Sequence, residues 1–284
     1  MSSARENHDF LAQMAASSHA RVRAARAACP ENELMRRALA TGTPPQLRLT
    51  PGGFDLIAEM KLRSPAAGRL KSGGEDIAAR VCGYARAGAC AVSVLTEPSR
   101  FDGSLTHLSA AASALRRHAV PAMRKDFLVD PYQVIEARVS GAGGVLVILR
   151  MLSDAEAATL IRRARELSLF ALIETFDEPD IERLHRLAST LGGTGLLAGV
   201  NCRDLVTLEV VPGRLERLAP LLPDGIPRVA ESGVGSAEDV RRLAQAGYDL
   251  ALVGSALMRD ADPEALGRTM LRAARAARGG QGPA

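Results

Sequence analysis

The 284-residue sequence predicts an α/β protein, a (β/α)8 TIM barrel with an N-terminal helical extension. Eight short apolar runs alternate with amphipathic helical patterns, and the runs are apolar throughout, as expected of parallel strands covered on both faces. Polar residues follow where the runs end. The predicted strands are residues 54–61, 90–96, 120–124, 144–149, 169–174, 196–201, 227–231 and 250–254.

The segments between these strands carry helical periodicity, as in EDIAARVCGYARAG, DAEAATLIRRAREL and SAEDVRRLAQAG. A doubly wound open sheet is the alternative arrangement of such units. It would need a glycine-rich dinucleotide-binding turn early in the chain, and the sequence has none there. We therefore predict three segments: an N-terminal helical extension packed on the barrel (1–53), the barrel itself (54–278) and a flexible tail (279–284).

The composition argues against nucleic-acid binding and against a membrane location. The net charge is only +4 with dispersed basic residues, and aromatic residues make up 3% of the chain, which leaves little to stack on bases. No apolar run approaches the roughly 20 residues that span a bilayer. The N-terminus lacks the apolar core of a secretory signal. We expect a cytoplasmic protein that is a monomer.

The four cysteines predict free thiols, because no two of them have the CxxC spacing of a zinc or redox site. They are Cys29, Cys82, Cys90 and Cys202. No group of carboxylates has the pattern of a metal site either. We therefore expect a mechanism that uses no metal and no cofactor.

Lysine is rare in this chain. Of its 36 basic residues only Lys61, Lys71 and Lys125 are lysines. A position that keeps lysine where arginine is otherwise used can be one that needs a compact amine with a tunable pKa. Lys61 and Lys125 both fall at predicted strand ends, which favours a chemical role for them. We interpret Lys71, in a loop, as a surface residue.

Charged residues converge on one face of the predicted barrel, because the carboxyl ends of its strands meet there and active sites of this fold lie at that face. Glu59 and Lys61 lie two apart and face the same way; taken alone they would be an ordinary ion pair. No histidine lies at a strand end, so acid–base work would fall to lysine and glutamate. Burial or neighbouring cations would lower the pKa of such a lysine toward neutrality.

The turns after the last two predicted strands suggest a phosphate site. Ser232-Gly233 and Gly254-Ser255 follow strands seven and eight, where many barrels bind phosphate through backbone N–H groups. Glycine lets an anion approach closely, and serine adds a hydroxyl donor. Two ordinary turns are the alternative interpretation.

Together these motifs resemble the indole-3-glycerol-phosphate synthase family, whose members are (β/α)8 enzymes of tryptophan biosynthesis. The matching stretches lie between residues 57 and 258 and occur in the family's order: IAEMKLRSP, SVLTE, FDGS, PAMRKDFLVDPYQ, ALIET, GVNCRDL, VAESGV and LVGSALM. The resemblance implies ring closure of 1-(2-carboxyphenylamino)-1-deoxyribulose 5-phosphate to indole-3-glycerol phosphate, with release of CO2 and water.

The resemblance also implies catalytic roles. Lys125 resembles the general acid that protonates the ketone, and Lys61 the second lysine, which contacts the substrate and assists dehydration. Glu174 resembles the base that removes the ring proton. Glu59 resembles the carboxylate that orients these groups. Asn201 and Glu231 resemble assisting residues.

Binding roles follow in the same way. Ser64 and Arg203 would hold the anthranilate carboxylate, and Phe127 would pack on the aromatic ring. The phosphate would be bound by Ser232, Gly233, Gly254 and Ser255. The implied partner is this phosphorylated small molecule; association with other enzymes of tryptophan biosynthesis stays open.

The departures from the family pattern are small. Leu62 and Arg63 stand where the family often has further basic residues. Ala66 and Ala67 replace a turn that usually contains serine. Cys202 occupies the variable place between Asn201 and Arg203. None of these residues is one to which the resemblance assigns catalysis.

Three other functions stay open on the sequence. A phosphoribosylanthranilate isomerase would have a similar phosphate site, but resemblance to that family implies a Cys and Asp acid–base pair at the strand ends. The first strand here ends instead in Glu59 and Lys61. A Schiff-base aldolase would use Lys125 as its nucleophile but leaves the carboxylates and Phe127 unexplained. A non-catalytic paralogue would bind a sugar phosphate or a partner enzyme.

Overall fold

The predicted TIM barrel is confirmed. The computed structural model describes residues 3–65, 68–70, 75–204 and 207–279, and within them eight parallel strands form one closed barrel. The strands are β1 Asp55–Met60, β2 Ala91–Leu95, β3 Ala122–Lys125, β4 Gly144–Ile148, β5 Phe170–Thr175, β6 Leu196–Asn201, β7 Arg228–Glu231 and β8 Leu250–Val253.

The barrel closes because β1 pairs in parallel with both β8 and β2. Asp55 lies opposite Leu250 on one side, and Ile57 lies opposite Ala91 on the other. Every residue of β1, β2, β4, β5, β6 and β8 is buried. Side chains thus pack into the barrel interior or under the helices, which explains why the strands are apolar on both faces.

Helices surround the barrel, and several begin at a capping side chain. Ser153 and Ser236 each form a capping box with an acidic residue three positions later. In the described part of the chain the helices are α1 Ser3–Ala28, α2 Glu31–Ala40, α3 Ile77–Ala87, α4 Pro98–Phe101, α5 Leu105–Leu115, α6 Pro131–Val139, α7 Asp154–Glu166, α8 Glu178–Leu191, α9 Arg214–Leu218, α10 Ala237–Gln245, α11 Ser255–Arg259 and α12 Pro263–Gly279. None of the helices described combines the length and apolarity needed to cross a membrane.

Six of the eight strand ends differ from the prediction, each by one residue, and two of these shifts involve the site lysines. The first strand was expected to end at residue 61 but ends at Met60, so Lys61 is the first residue beyond it. The third was expected to end at residue 124 but ends at Lys125. A short hairpin follows β1 and pairs Arg63–Ser64 with Gly68–Arg69.

Helix α1 docks beside the end of β3. Arg21 donates two hydrogen bonds to the carboxylate of Asp126, at 2.9 and 2.8 Å. Ser18 Oγ donates to the carbonyl oxygen of Phe127 at 2.5 Å. The hydroxyl of Tyr132, on α6, donates to the carbonyl oxygen of Cys29, just beyond the end of α1, at 2.8 Å. The N-terminal segment thus contacts the chain on both sides of the β3 loop.

A buried polar network fixes the segment 124–127. Asp126 accepts hydrogen bonds from Thr96 at 2.7 Å, from Arg124 at 3.0 Å and from the backbone N–H of Phe127 at 2.8 Å, besides those from Arg21. Burial alone would raise the pKa of Asp126, but the two guanidinium groups outweigh it and hold the pKa well below its usual range. The carboxylate is therefore ionised and fully hydrogen-bonded, which makes this segment rigid.

We expect Arg21→Ala to lower the free energy of unfolding by about 2 kcal/mol, because it removes charge-assisted hydrogen bonds from a buried carboxylate. The matched control is Arg23→Ala, which changes an exposed arginine of the same helix. Denaturant unfolding of both variants measures the difference. Equal stabilities would contradict the assigned role of Arg21.

Candidate active site

One cavity of about 370 Å³ opens at the carboxyl ends of the strands, and all the residues that the sequence predicted for the site line it. They are Glu59, Lys61, Ser64, Lys125, Phe127, Glu174, Asn201, Arg203, Glu231, Ser232, Gly233, Gly254 and Ser255. Lys71 lies outside the described residues, as do Ala66 and Ala67. The structure thus brings the predicted residues together at one mouth, and their individual roles stay proposals.

Glu59 and Lys61 form a close ion pair at the end of β1, with Lys61 Nζ 2.6 Å from Glu59 Oε1. Burial alone would raise the pKa of Glu59, but the ammonium groups of Lys61 and Lys125 outweigh it and lower the pKa below its ordinary value. Glu59 therefore stays ionised, and its charge keeps the ammonium of Lys61 turned into the cavity.

Lys125 lies between two carboxylates. Its Nζ donates to Glu174 Oε2 at 3.0 Å and to Glu231 Oε2 at 3.2 Å. The expectation that burial would lower a mouth lysine's pKa toward neutrality is wrong for this residue. Burial does lower it, but the two carboxylates have the larger effect and raise the pKa of Lys125 above its ordinary value. Lys125 is therefore an ammonium group that can donate a proton.

Glu231 is a buried carboxyl group whose pKa is raised well above its ordinary value. Its side chain is 1% exposed, and its Oε1 atom has no hydrogen-bond partner among the described residues. Burial raises its pKa to about 8, with the charge of Glu174 adding to the rise and Lys125 opposing it. Near neutral pH Glu231 therefore holds a proton while Lys125 beside it stays an ammonium group.

The predicted phosphate turns lie side by side, because β7 and β8 are paired. Ser232 and Gly233 both have left-handed backbones, with φ of 69° and 68°. Such a conformation is uncommon for serine, and strained backbone conformations cluster at functional sites. Ser255 is the first residue of α11, where backbone N–H groups are free of helical partners. The arrangement suits an oxyanion.

The loop after β6 is shaped by Arg203. Its backbone N–H donates to Asn201 Oδ1 at 2.9 Å, and its Nη1 donates to the carbonyl oxygen of Leu208 at 2.5 Å. Arg203 also forms an isolated β-bridge with Val210. Asn201 therefore orients the start of this loop, and the guanidinium of Arg203 reaches the cavity while it is bound to the loop's far side.

Three phenylalanines form an aromatic wall, and the sequence analysis found only Phe127. Phe10, on α1, lies edge-on to Phe127 with ring centroids 5.8 Å apart, and Phe101, at the end of α4, lies 6.1 Å away. No site residue was assigned to residues 1–53. The one signal available was a phenylalanine in an otherwise alanine- and arginine-rich helix. With Leu146 and Leu252 also lining the cavity, this wall suits a flat aromatic ring.

The sequence model of the family described as "Indole-3-glycerol phosphate synthase" matches residues 11–270. The chain belongs to this family. The resemblance drawn from the motifs is thereby confirmed, and the family match includes most of the N-terminal helix α1 as well as the barrel.

Curated members of the family are similar over most of their length. The protein named indole-3-glycerol phosphate synthase from Nocardioides sp. (strain JS614) is 45% identical over 239 residues, which is 83% of this chain and 88% of the relative. The one of that name from Micrococcus luteus is 44% identical over 81% of each chain. The one from Opitutus terrae is 39% identical over 83% of this chain and 88% of its own.

Solved structures at low identity share the fold alone. Thiamine phosphate pyrophosphorylase from Pyrococcus furiosus superposes with a TM-score of 0.57 at 16% identity, covering 79% of this chain and 96% of its own. The 3-hexulose-6-phosphate synthase of Salmonella typhimurium gives a TM-score of 0.58 at 14% identity, covering 78% and 98%. They support the barrel architecture independently of the family match.

The environment of Glu231 predicts how it titrates. We expect its carboxyl group to titrate near pH 8 in the free protein, far above the ordinary value of 4.5. Lys125→Met should raise this pKa further because it removes a positive charge, and Glu174→Gln should lower it because it removes a repelling negative charge. Carbon-13 NMR of glutamate-labelled protein measures both shifts, with the signal assigned by its loss in Glu231→Gln. Titration near 4.5 would refute the assignment.

Proposed function

We propose that this chain is an indole-3-glycerol phosphate synthase, a carboxy-lyase that closes the ring of 1-(2-carboxyphenylamino)-1-deoxyribulose 5-phosphate and releases CO2 and water. Family membership supports the reaction. The observation that carries it is the ammonium of Lys125, held between Glu174 and Glu231 at 3.0 and 3.2 Å in a cavity that joins an aromatic wall to two phosphate turns.

The parts of the substrate match parts of the cavity. An aromatic ring suits the wall formed by Phe10, Phe101 and Phe127. A phosphate suits the turns after β7 and β8. A carboxylate suits the cationic side, where Lys61, Arg203 and the hydroxyl of Ser64 line the cavity. The reacting ketone would then lie between these anchors, near Lys125.

Ring closure would use Lys125 as the acid. As the ring carbon that bears the carboxylate attacks the ketone carbon, the carbonyl electrons move to oxygen, and Lys125 gives that oxygen a proton. Loss of CO2 returns an electron pair to the ring and restores its aromaticity. The raised pKa of Lys125 ensures that it carries the proton at the start.

Dehydration would use the second lysine and Glu174. Lys61, held by Glu59 at 2.6 Å, would protonate the departing hydroxyl as it leaves as water. Glu174 would take a proton from the newly formed ring, which gives the indole double bond. Asn201 would shape the cavity floor beside them, and Glu231 would hold Lys125 in place. The assignment of the first protonation to Lys125 and of the second to Lys61 is a prediction.

A Schiff-base aldolase fits this geometry less well. An imine-forming lysine must be a neutral amine to attack a carbonyl, and Lys125 is held as an ammonium by two carboxylates. The isomerase alternative lacks its acid–base pair, since β1 is followed by Lys61 and carries Glu59 at its end. We further propose a cytoplasmic monomer; association with other tryptophan-pathway enzymes is a prediction for binding assays.

The decisive experiment adds the carboxyphenylamino-deoxyribulose phosphate to the purified protein and follows indole fluorescence. Lys125→Met should abolish turnover yet keep substrate affinity within about tenfold, because its proton matters mainly in the transition state. Arg272→Met, which removes a positive charge from an exposed position on α12, is the matched control and should remain active.

Other outcomes separate the alternatives. Lost binding with normal single-turnover chemistry in Lys125→Met would contradict its role as the acid. Binding without indole formation by the wild type would indicate a non-catalytic paralogue. If the wild type shows neither binding nor turnover, a Schiff-base enzyme becomes the hypothesis to test. Borohydride reduction would then trap the imine formed on Lys125.

The pKa of Glu231 also predicts the pH dependence of substrate capture. Below about pH 8 Glu231 is protonated, and above it the cavity gains one negative charge that repels a substrate carrying a carboxylate and a phosphate. We expect kcat/KM to fall above pH 8 through a rise in KM. In Glu231→Gln this limb should be absent, whatever the absolute rate. If kcat/KM of Glu231→Gln still falls at the same pH, the fall is caused by the titration of another group.

A further inference from the structure

Gly199, in the middle of β6, touches the site without being part of its chemistry. A Cβ atom built on Gly199 would lie 2.3 Å from Glu231 Oε1, where ordinary contacts begin at 3.4 Å. The same oxygen is buried and has no hydrogen-bond partner among the described residues. It therefore lies directly against the bare Cα of Gly199, in space that any side chain at position 199 would fill.

We propose that Gly199 is a positioning residue for the reaction, because its missing side chain provides the seat for the Glu231 carboxylate beside Lys125. The role in the reaction rests on the proposed function. The seat itself is a matter of geometry: one oxygen of Glu231 lies on Gly199, while the other accepts a hydrogen bond from Lys125 Nζ at 3.2 Å.

The backbone of Gly199 cannot retreat to make room. Its carbonyl oxygen accepts a hydrogen bond from Thr175 Oγ1 at 2.7 Å. In the sheet it lies opposite Glu174 on β5 and Val229 on β7, so strands on both sides hold it. The next nearest atoms to the added Cβ are Leu172 Cδ1 at 3.0 Å and Ile173 O at 3.2 Å. Both contacts are tight, but neither is as short as the 2.3 Å contact with Glu231 Oε1.

Glu231 is thus the group that would move. Its carboxylate ends a flexible side chain, and its Oε1 would have to shift by about 1 Å to reach the 3.4 Å at which contact is ordinary. A displacement of this size alters the contact with Lys125, and misplacement of a catalytic group by 1 Å can cost roughly 100-fold in rate. The fold would change little, because only the end of one side chain moves.

A second glycine follows the same rule. A Cβ on Gly254, after β8, would lie 2.3 Å from Glu59 Oε1 and 2.9 Å from Lys61 Nζ. Both carboxylate–lysine groups of the cavity therefore rest on a position without a side chain. Gly254 also belongs to the proposed phosphate turn, so a variant there would disturb two things at once. Gly199 is the cleaner place to test the seat.

The test is a double-mutant cycle on turnover with Gly199→Ala and Glu231→Ala. We expect Gly199→Ala to lower kcat about 100-fold. In the Glu231→Ala background the same change should lower it less than twofold, because no carboxylate remains to be displaced. Gly267→Ala on α12, whose Cβ would lie 2.9 Å from Ala87 Cβ, is a control for crowding away from the site and should keep wild-type kcat.

Crystal structures of the wild type and Gly199→Ala supply a readout besides activity. A displaced Glu231 carboxylate with non-additive losses supports the proposal. Equal losses in both backgrounds, or an unmoved Glu231, overturn it. If Gly199→Ala does not fold, the double variant should fold; if that fails too, the collision is with Leu172 or Ile173 and the proposal is overturned. A wild type without turnover would refute the proposed function alone, since the crystal structures still decide the seat.

Discussion

Two ammonium groups and three carboxylates share the mouth of this barrel, and each needs a partner there because burial removes its water. Glu59 holds Lys61 at 2.6 Å, and Glu174 and Glu231 hold Lys125 at 3.0 and 3.2 Å. The requirement for pairing determines much of the surrounding structure. It sets the protonation state of each group, and it requires glycine where a carboxylate lies against the backbone.

The network beneath Lys125 serves the same purpose from the other side. Asp126 joins β3 to α1 through Arg21 and is itself neutralised by Arg124. A flexible segment here would let Lys125 and Phe127 move relative to the two carboxylates, and catalytic geometry tolerates little movement. The N-terminal helix thus contributes a wall residue to the cavity and a support to the strand that carries the lysine.

The barrel was predictable because strands buried on both faces leave a plain hydrophobic pattern. The meeting of Glu59, Lys125 and Glu174 was predictable too, since parallel strands present their carboxyl ends at one face. Phe10 was not predictable, because its position depends on how α1 packs, as in the bond from Ser18 to Phe127 across 109 residues. The predicted direction of the Lys125 pKa shift was wrong for a related reason. The sequence indicates that Lys125 is buried, but it does not show that two carboxylates lie within hydrogen-bonding distance.

The balance of charge explains why one of the three carboxylates should be protonated in the free protein. Lys125 pairs with both Glu174 and Glu231, so with all three groups ionised its single positive charge faces two negative charges, in a cavity proposed to admit an anionic substrate. Protonating Glu231, whose pKa is about 8, removes one of these negative charges and relieves its repulsion with Glu174. Lys125 keeps its proton because Glu174 alone still pairs with it. A seat against Gly199, where no donor among the described residues reaches Oε1, favours the neutral form of Glu231 over the charged one.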